Sequence, residues 1–494
     1  MNSLSRRSVI LGSLGIVATG TLAACSASQP AGTPTAFGTP TAVPTTPGQR
    51  VTTAKLIAKR ATLDLGGPEV GTWAYGDTAP GPLIRATAGD LVRVTLDNQL
   101  PADTSIHWHG IALANAADGV PGMTQDPIRP STTFTYEFVA PDPGTYFYHP
   151  HSGVQLDRGL YAALIVDDPQ EPGGYDLEYV VVLDDWVDGT GRTPDDVLTQ
   201  LIAKGGSATS GGMGGMGGMD HGSMGMGGGA APFGDAGDVQ YPHYLINGRV
   251  PAAPDVLAAK PGQRVRLRVI NAASDTIFTV ALGGHRMTVT HSDGFPVQPT
   301  ETGAFYIGMG ERYDAVVTLK DGVFPLVAAP FGKQGQALAL VRTGAGAAPP
   351  ATLRPDELAG PVLLGTTLVA AESARLAQRD AEATEVIQLN GQMAPYQWGI
   401  NGGPFGENEP IVITKGERVH LDLANMTMMT HPFHIHGHTF GLLSSGLRKD
   451  TVLLRPMETI AVELQADNAG DWAAHCHNIY HAEAGMMIGL NYRA

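Results

Sequence analysis

Three short stretches of this chain share one pattern, and that pattern restricts its fold more than any other feature. Gly89-Asp90 is followed by alternating Val92, Val94 and Leu96 and then Asn98; Gly262-Gln263 precedes Val265, Leu267, Val269 and Asn271; Gly416-Glu417 precedes Val419, Leu421, Leu423 and Asn425. The spacing from Gly to Asn is the same each time. Side chains on a strand alternate between faces, so this reads as a half-buried strand entered through a Gly turn and left through an Asn turn. Its recurrence at domain-sized intervals points to three similar domains, and internal repeats outrank local readings. With 64 Gly and 36 Pro in 494 residues, the chain should be rich in turns and poor in helix. We therefore expect an all-β protein of three Greek-key β-sandwich domains, residues 53–170, 171–345 and 385–494, with 346–384 as a linker. Within the linker, the stretch from Leu353 to Ala383 reads as weakly helical.

The repeats also end alike. Gly144-Thr145-Tyr146-Phe147-Tyr148-His149-Pro150-His151 in the first parallels Gly470-Asp471-Trp472-Ala473-Ala474-His475-Cys476-His477 in the third. The second offers Gly322-Val323-Phe324-Pro325-Leu326-Val327, without histidine. The outer domains should carry the chemistry and the middle one should act as a spacer.

That chemistry reads as metal binding. Ten of the 16 histidines fall in four clusters: His107/His109, His149/His151, His431/His434/His436 and His475/His477/His481. Two histidines one residue apart on a strand share a face, about 6.5–7 Å apart, and can clasp adjacent metals. Cys476, by the same alternation, faces away from His475 and His477. Cys476, His481 and Met486 are soft ligands suited to copper, and a second histidine would complete a His₂Cys site with a weak axial thioether. One strand would then join a copper on one face to a pair of metals behind it.

The four motifs, in this order, resemble those of the three-domain multicopper oxidases, and the resemblance covers residues 53–494. It implies cupredoxin-like domains and four copper ions that couple one-electron substrate oxidation to four-electron reduction of O₂ to water. Motif by motif, His431, Cys476, His481 and axial Met486 would hold the type 1 copper, and His107 and His434 the type 2 copper. One type 3 copper would take His109, His149 and His477, the other His151, His436 and His475. The trinuclear site would lie between domains one and three. Asp118 matches the acid that serves that site in the family, and equally suits a turn. A second acid commonly follows the last type 1 histidine; Ala482 stands there and Glu483 is next, which leaves Glu483 as the candidate. His438 should lie behind its motif or at the surface, while His243, His285, His291 and His420 lack partner spacing and read as structural.

Residues 204–230 interrupt domain two with Met213, Met216, Met219, Met224 and Met226, plus Asp220 and His221, among glycines that cannot pack a core. Thioethers favour Cu(I). Met428 and Met429 precede His431, and Met429 matches a position that helps bind cuprous ion in copper-tolerance members of the family. Thr427 stands where those enzymes often carry an acid. The expected donor is Cu(I); a laccase-like oxidase of phenols or amines is the alternative, and a copper-buffering protein without turnover the third reading.

Arg6-Arg7, an apolar run from Val9 to Leu22 and the closing Leu22-Ala23-Ala24-Cys25 resemble a twin-arginine export signal with a lipobox. Residues 1–24 would be removed, Cys25 lipidated, and the Pro/Thr-rich residues 25–52 would tether the enzyme to the outer face of the cytoplasmic membrane; a periplasmic or secreted form is the alternative. With both cysteines so explained, no disulfide is expected. A net charge of −16 without a basic patch argues against a nucleic-acid partner. We expect a monomer.

Overall fold

The computed structural model describes residues 46–171, 173–204 and 232–493. The expected export signal, Cys25, most of the expected tether and the methionines Met213, Met216, Met219, Met224 and Met226 lie outside those residues.

Among the described residues the strands form six sheets, two for each repeat. The first pair has four strands in each sheet, the second six and six, the third six and five. Each repeated strand occupies the same place. Leu91–Asn98, Arg264–Asn271 and Arg418–Asn425 lie parallel to the first strand of their sheets, Val51–Asp64, Leu177–Trp186 and Ala383–Gln392. On the other side they run antiparallel to Thr132–Val139, Arg312–Thr318 and Thr459–Gln465.

The two ends of the repeat have separate physical causes. Gly89, Gly262 and Gly416 sit at φ of 89°, 84° and 94°, a region open to glycine and costly for other residues. Asn98, Asn271 and Asn425 are buried and close the strand identically. Each side-chain Oδ1 accepts from the backbone N–H two residues on, at 3.0, 3.0 and 2.9 Å. Each Nδ2 donates to backbone carbonyls on both sides of the strand end, Ala102 and Ile128, Thr276 and Ile307, and Met429 and Leu454. Losing such a buried amide strands several polar groups at about 1–3 kcal/mol each.

Two expectations need correction, and one element was not anticipated. Arg264–Asn271 is buried on both faces beyond its first residue, because its outer face meets domain one instead of water. Arg266 and Arg268 point that way, pair with Asp314 at 2.5 and 3.2 Å, and Arg268 reaches Thr145 at 2.9 Å. The linker carries no α-helix: it holds 3-10 turns at Asp356–Ala359, Gly365–Thr367 and Glu372–Ala374, with Pro355 and Pro361 blocking longer helix. Conversely, an α-helix at Pro194–Lys204 leads into the methionine-rich insertion. Its start is written in Thr193-Pro194-Asp195-Asp196. Asp196 N–H donates to Thr193 Oγ1 (3.2 Å) and Thr193 N–H to Asp196 Oδ2 (2.9 Å), a capping box with Asp in place of Glu.

Candidate metal centres

Strand pairing brings the histidine motifs together within each outer domain. His107 stands opposite His149 on Gly144–His149, and in the third domain His434 stands opposite His475 and Phe433 opposite Cys476. Two of the four His-X-His motifs, His107/His109 and His434/His436, are followed by glycine, Gly110 and Gly437, at φ of 86° and 62°. A Cβ at Gly110 would strike Arg312 and Asp450, and one at Gly437 the ring of Trp472.

The two outer domains meet with their histidines interleaved. His109, His149 and His477 form one triad and His151, His436 and His475 another, the potential ligand atoms of each within 4.8 Å of one another. His107 and His434 approach each other between them, joined by His109 within the same limit. His109 Nδ1 faces His477 Nε2 at 3.1 Å, and His436 Nε2 faces His475 Nε2 at 2.9 Å. Nitrogens sharing one metal at about 2.0–2.1 Å lie about 3 Å apart, so these separations suit a bound ion. Four buried ring nitrogens have no partner: His107 Nε2, His149 Nε2, His434 Nε2 and His477 Nδ1. The Nε2 atoms of His107, His149 and His434 face the cluster, where a metal would satisfy them; His477 turns its Nε2 to the cluster, so its Nδ1 lies on the far side. The donor set fits copper.

The outward nitrogens are fixed by hydrogen bonds, which set the tautomer each ring presents inward. His107 Nδ1–H donates to the Asp118 carbonyl (3.0 Å) and His434 Nδ1–H to the Asp450 carbonyl (2.9 Å). His149 and His475 donate to the carbonyls of Pro150 and Cys476, at 2.8 and 2.9 Å. His436 Nδ1–H donates to Asp118 Oδ2 at 3.0 Å, and His109 Nε2 lies 3.2 Å from Asp450 Oδ1. Asp118 therefore lies at the cluster. Asp450 was not anticipated: Lys449-Asp450-Thr451 has no motif, and only packing brings it here. Its carboxylate is buried and gripped by both terminal nitrogens of Arg312, at 2.7 and 2.6 Å, which hold it well below the usual carboxylate range against the cost of burial. Arg312 comes from domain two, so the middle domain supports the cluster without supplying a ligand.

On the other face of the same strand, Cys476 Sγ lies 3.5 Å from His431 Nδ1 and 3.6 Å from His481 Nδ1, with the two nitrogens 3.0 Å apart. Met486 is buried beside them. Its carbonyl accepts from Cys476 N–H and its N–H donates to the His481 carbonyl, at 3.1 and 2.9 Å. Each imidazole has a partner on its far nitrogen: Thr427 Oγ1 at 2.7 Å from His431 Nε2, and Asp238 Oδ2 at 2.9 Å from His481 Nε2. Trp398 packs over His481 with ring centroids 4.1 Å apart. Asp238, from just after the insertion, was also missed in the sequence.

Burial and neighbouring imidazoles hold His109, His149, His151, His436 and His477 well below the usual histidine range, and His475 falls to about 3. Such rings stay neutral, as metal ligation requires. His481 differs: burial opposes its charge, but the Asp238 carboxylate outweighs burial and lifts it to about 10.

Two expected residues are elsewhere. Glu483 ends the short helix Ile479–Glu483 with an exposed surface and no hydrogen bond to any of these histidines, while partial burial of its carboxyl lifts it to about 6. Met429 is 4% exposed, its backbone bridged to Gly234 and Asp235, whereas Met428 is 70% exposed. His438 is buried behind its motif, bonded to the His436 carbonyl (2.9 Å) and Tyr492 (2.7 Å).

The fold and these two sets of side chains define a copper oxidoreductase. Residues 57–171, 178–348 and 378–494 match the multicopper oxidase family in three successive segments. Multicopper oxidase MmcO of Mycobacterium tuberculosis is 49% identical over 449 residues, covering 90% of this chain and 87% of the relative. A copper resistance protein A homolog of Pseudomonas syringae pv. tomato is 30% identical over 518 residues, covering 83% of this chain and 87% of the relative. Among solved structures, a multi-copper oxidase from Pseudomonas thermotolerans matches with a TM-score of 0.68 and 28% identity, over 90% of this chain and 100% of that one. The chain belongs to the multicopper oxidase family.

Proposed function

We propose that the enzyme oxidises Cu(I) to Cu(II) outside the cytoplasm and reduces O₂ to water with the electrons. Four copper ions would be held: type 1 by His431, Cys476, His481 and Met486; type 2 by His107 and His434; and the type 3 pair by the triads on His109 and His151. Bound there, copper supplies one-electron acceptance at the first site and O₂ reduction at the other three. The chain's own residues fix the ligand tautomers, keep the type 3 imidazoles neutral and place Asp118 where protons are needed, while Asp450, held ionised by Arg312, supports His109.

The observation that carries the cuprous reading is the exposed thioether of Met428, three residues before His431 and beside the point where the chain returns from the methionine-rich insertion. Thr430 Oγ1 donates to the Phe233 carbonyl at 2.8 Å, which pins that return against the type 1 ligand strand. Thioether is a poor ligand for Cu(II) or hard cations and a good one for Cu(I). The similarity to a copper resistance protein supports the same reading.

The test is O₂ uptake by copper-loaded enzyme given Cu(I) or a phenol, with and without residues 211–227. Rapid Cu(I) turnover that falls on deletion is expected. Fast phenol turnover that rises on deletion would instead make the insertion a lid over a laccase-like site, and no uptake with either donor would leave copper buffering. We further propose export through the paired-arginine signal, lipidation of Cys25 and a monomeric enzyme. Mass analysis of the N-terminus from membranes, and sedimentation of the detergent-free form, test these points.

A further inference from the structure

A pocket of about 570 Å³ opens where domain two meets the start of the linker and Pro68 of domain one. None of its lining residues comes from domain three, which holds every type 1 ligand candidate. The volume falls in the range of small-molecule sites, about 300–1,000 Å³. Tyr241, Pro242, Tyr244, Val250 and Pro251 give it apolar and aromatic walls, with the two tyrosine ring centroids 6.4 Å apart. Its polar end is held in place by hydrogen bonds. Gln336 Nε2 donates to the linker carbonyls of Ala351 and Leu353 at 2.8 and 3.0 Å, and Arg354 donates to the Gly335 carbonyl at 2.9 Å. No acid lines the pocket, and partial burial keeps His243 below the usual histidine range. Arg354 therefore supplies the only formal charge there, and among the described residues it pairs with no carboxylate.

The segment that walls this pocket also reaches a copper ligand. Residues 238–244 run from Asp238, whose Oδ2 lies 2.9 Å from His481 Nε2, to the wall at Tyr241 and Tyr244. The three-residue step from Asp238 to Tyr241 spans at most about 10 Å. Tyr241 makes a second connection. Its hydroxyl donates to buried Asp157 Oδ2 at 3.1 Å, and that oxygen also accepts from the hydroxyl of Tyr480, the neighbour of His481. A third connection runs through Lys333, whose Nζ lies 5.4 Å from the Tyr241 ring centre and donates to Asp275 Oδ2 at 2.7 Å. Asp275 Oδ1 accepts from Asn478 Nδ2 at 2.6 Å, and Asn478 caps the helix Ile479–Glu483 that carries His481. The pocket wall is thus tied to one imidazole by three routes, through buried groups packed too densely to shift independently.

We propose that this pocket binds a small aromatic carboxylate, its ring against Tyr241 and Tyr244 and its carboxylate on Arg354, and that occupancy is felt at His481. A planar ring suits the tyrosine and proline walls, and a guanidinium matches a carboxylate with two parallel hydrogen bonds. With a net charge of −16 the chain repels anions over most of its surface, so an unpaired arginine in an acid-free pocket singles out this place for one. A seated ring presses on Tyr241, and the displacement passes to Asp238 and Tyr480. The orientation of the His481 ring then changes, which tunes the type 1 centre while the ligand neither touches metal nor gives up an electron.

The experiment titrates the copper-loaded enzyme with benzoate, which is redox-inert, by calorimetry and in parallel by the blue absorption. One equivalent should bind with a Kd of about 1 mM or tighter, in keeping with so small a ligand. Arg354→Gln should weaken binding about tenfold or more, and benzamide, which keeps the ring without the charge, should bind the wild type as weakly. The blue absorption maximum should shift along the calorimetric isotherm. Ala252 lines the pocket from an exposed position, so Ala252→Trp should fill it and abolish both signals, while its blue absorption still reports folding and a loaded type 1 copper. Heat that survives in Ala252→Trp places benzoate elsewhere, on copper or the outer surface, and overturns the site. Equal affinity in Arg354→Gln, or no heat at about 10 mM benzoate, does the same. Binding that Arg354→Gln weakens while the wild-type absorption stays still overturns the link to His481.

Discussion

Asp118 and Asp450 are reciprocal partners across the histidine cluster. The backbone carbonyl of each accepts from the first histidine of its own domain's His-X-His motif, His107 at 3.0 Å and His434 at 2.9 Å. The carboxylate of each crosses to the second histidine of the other domain's motif, Asp118 to His436 at 3.0 Å and Asp450 to His109 at 3.2 Å. One acid from each domain therefore ties a type 2 candidate ligand to a type 3 candidate ligand across the interface. Main chain sets the first bond and side chain the second, so substitution can separate them.

Asp118→Asn should keep the carbonyl contact and lose the proton-bearing group. O₂ reduction should fall about 10²-fold or more while the type 1 absorption persists, in keeping with the usual size of acid–base contributions. Asp450→Asn, which removes an ionised support and no proton donor, should cost less activity than Asp118→Asn and add instability of about 3–5 kcal/mol, because buried Arg312 loses its nearest counter-charge. Oxygen uptake and denaturant unfolding, run on both variants, separate the two effects. Equal stability would show that Arg312 finds another partner.

Asp238→Asn removes the carboxylate that supports His481 through its far nitrogen. Changes to such outer partners typically cost 10–100-fold in metal affinity or activity. Copper at the type 1 site should be lost more readily to a chelator than copper at the trinuclear site, as read by the blue absorption against total copper. Unchanged retention would mean that Tyr396, which donates to the same carboxylate at 2.5 Å, holds the segment in place by itself.

Met429→Leu should be nearly silent. A volume-conserving swap in a core usually costs less than about 1.5 kcal/mol, and the Met429 side chain, 4% exposed, is not at the surface where an incoming ion first arrives. The KM for Cu(I) should move less than about twofold. A large rise in KM would show that cuprous ion reaches the interior of this segment.

The metal-free enzyme should lose stability as pH falls below neutrality. Burial depresses His109, His149, His151, His431, His436 and His477 well below the usual range and His475 to about 3. Below the unfolded value of about 6.5, the unfolded chain takes up protons that the folded rings refuse, so stability present above that value is lost on acidification. Each ring that stays neutral contributes up to about 1.4 kcal/mol per pH unit. His481 has the opposite sign: raised to about 10, it contributes stability that is full below 6.5 and lost as pH rises through 10. Denaturant midpoints at pH 8, 6 and 4.5 should fall steeply in that order.

What is periodic or contiguous could be read from the chain alone. The three Gly-to-Asn strands, the alternation that separates Cys476 from its flanking histidines, and the histidine motifs all follow from strand geometry acting over a few residues. What depends on distant segments meeting was settled by packing. Asp450 is joined to His109 across 341 positions of chain and Asp238 to His481 across 243, distances over which no local pattern carries information. Met429 shows the same limit in reverse: two residues before a ligand in sequence, it is turned by its own backbone into the core. Arg312 belongs to the domain without a metal motif, and only the packing of all three domains onto one buried carboxylate gives it a part in the site.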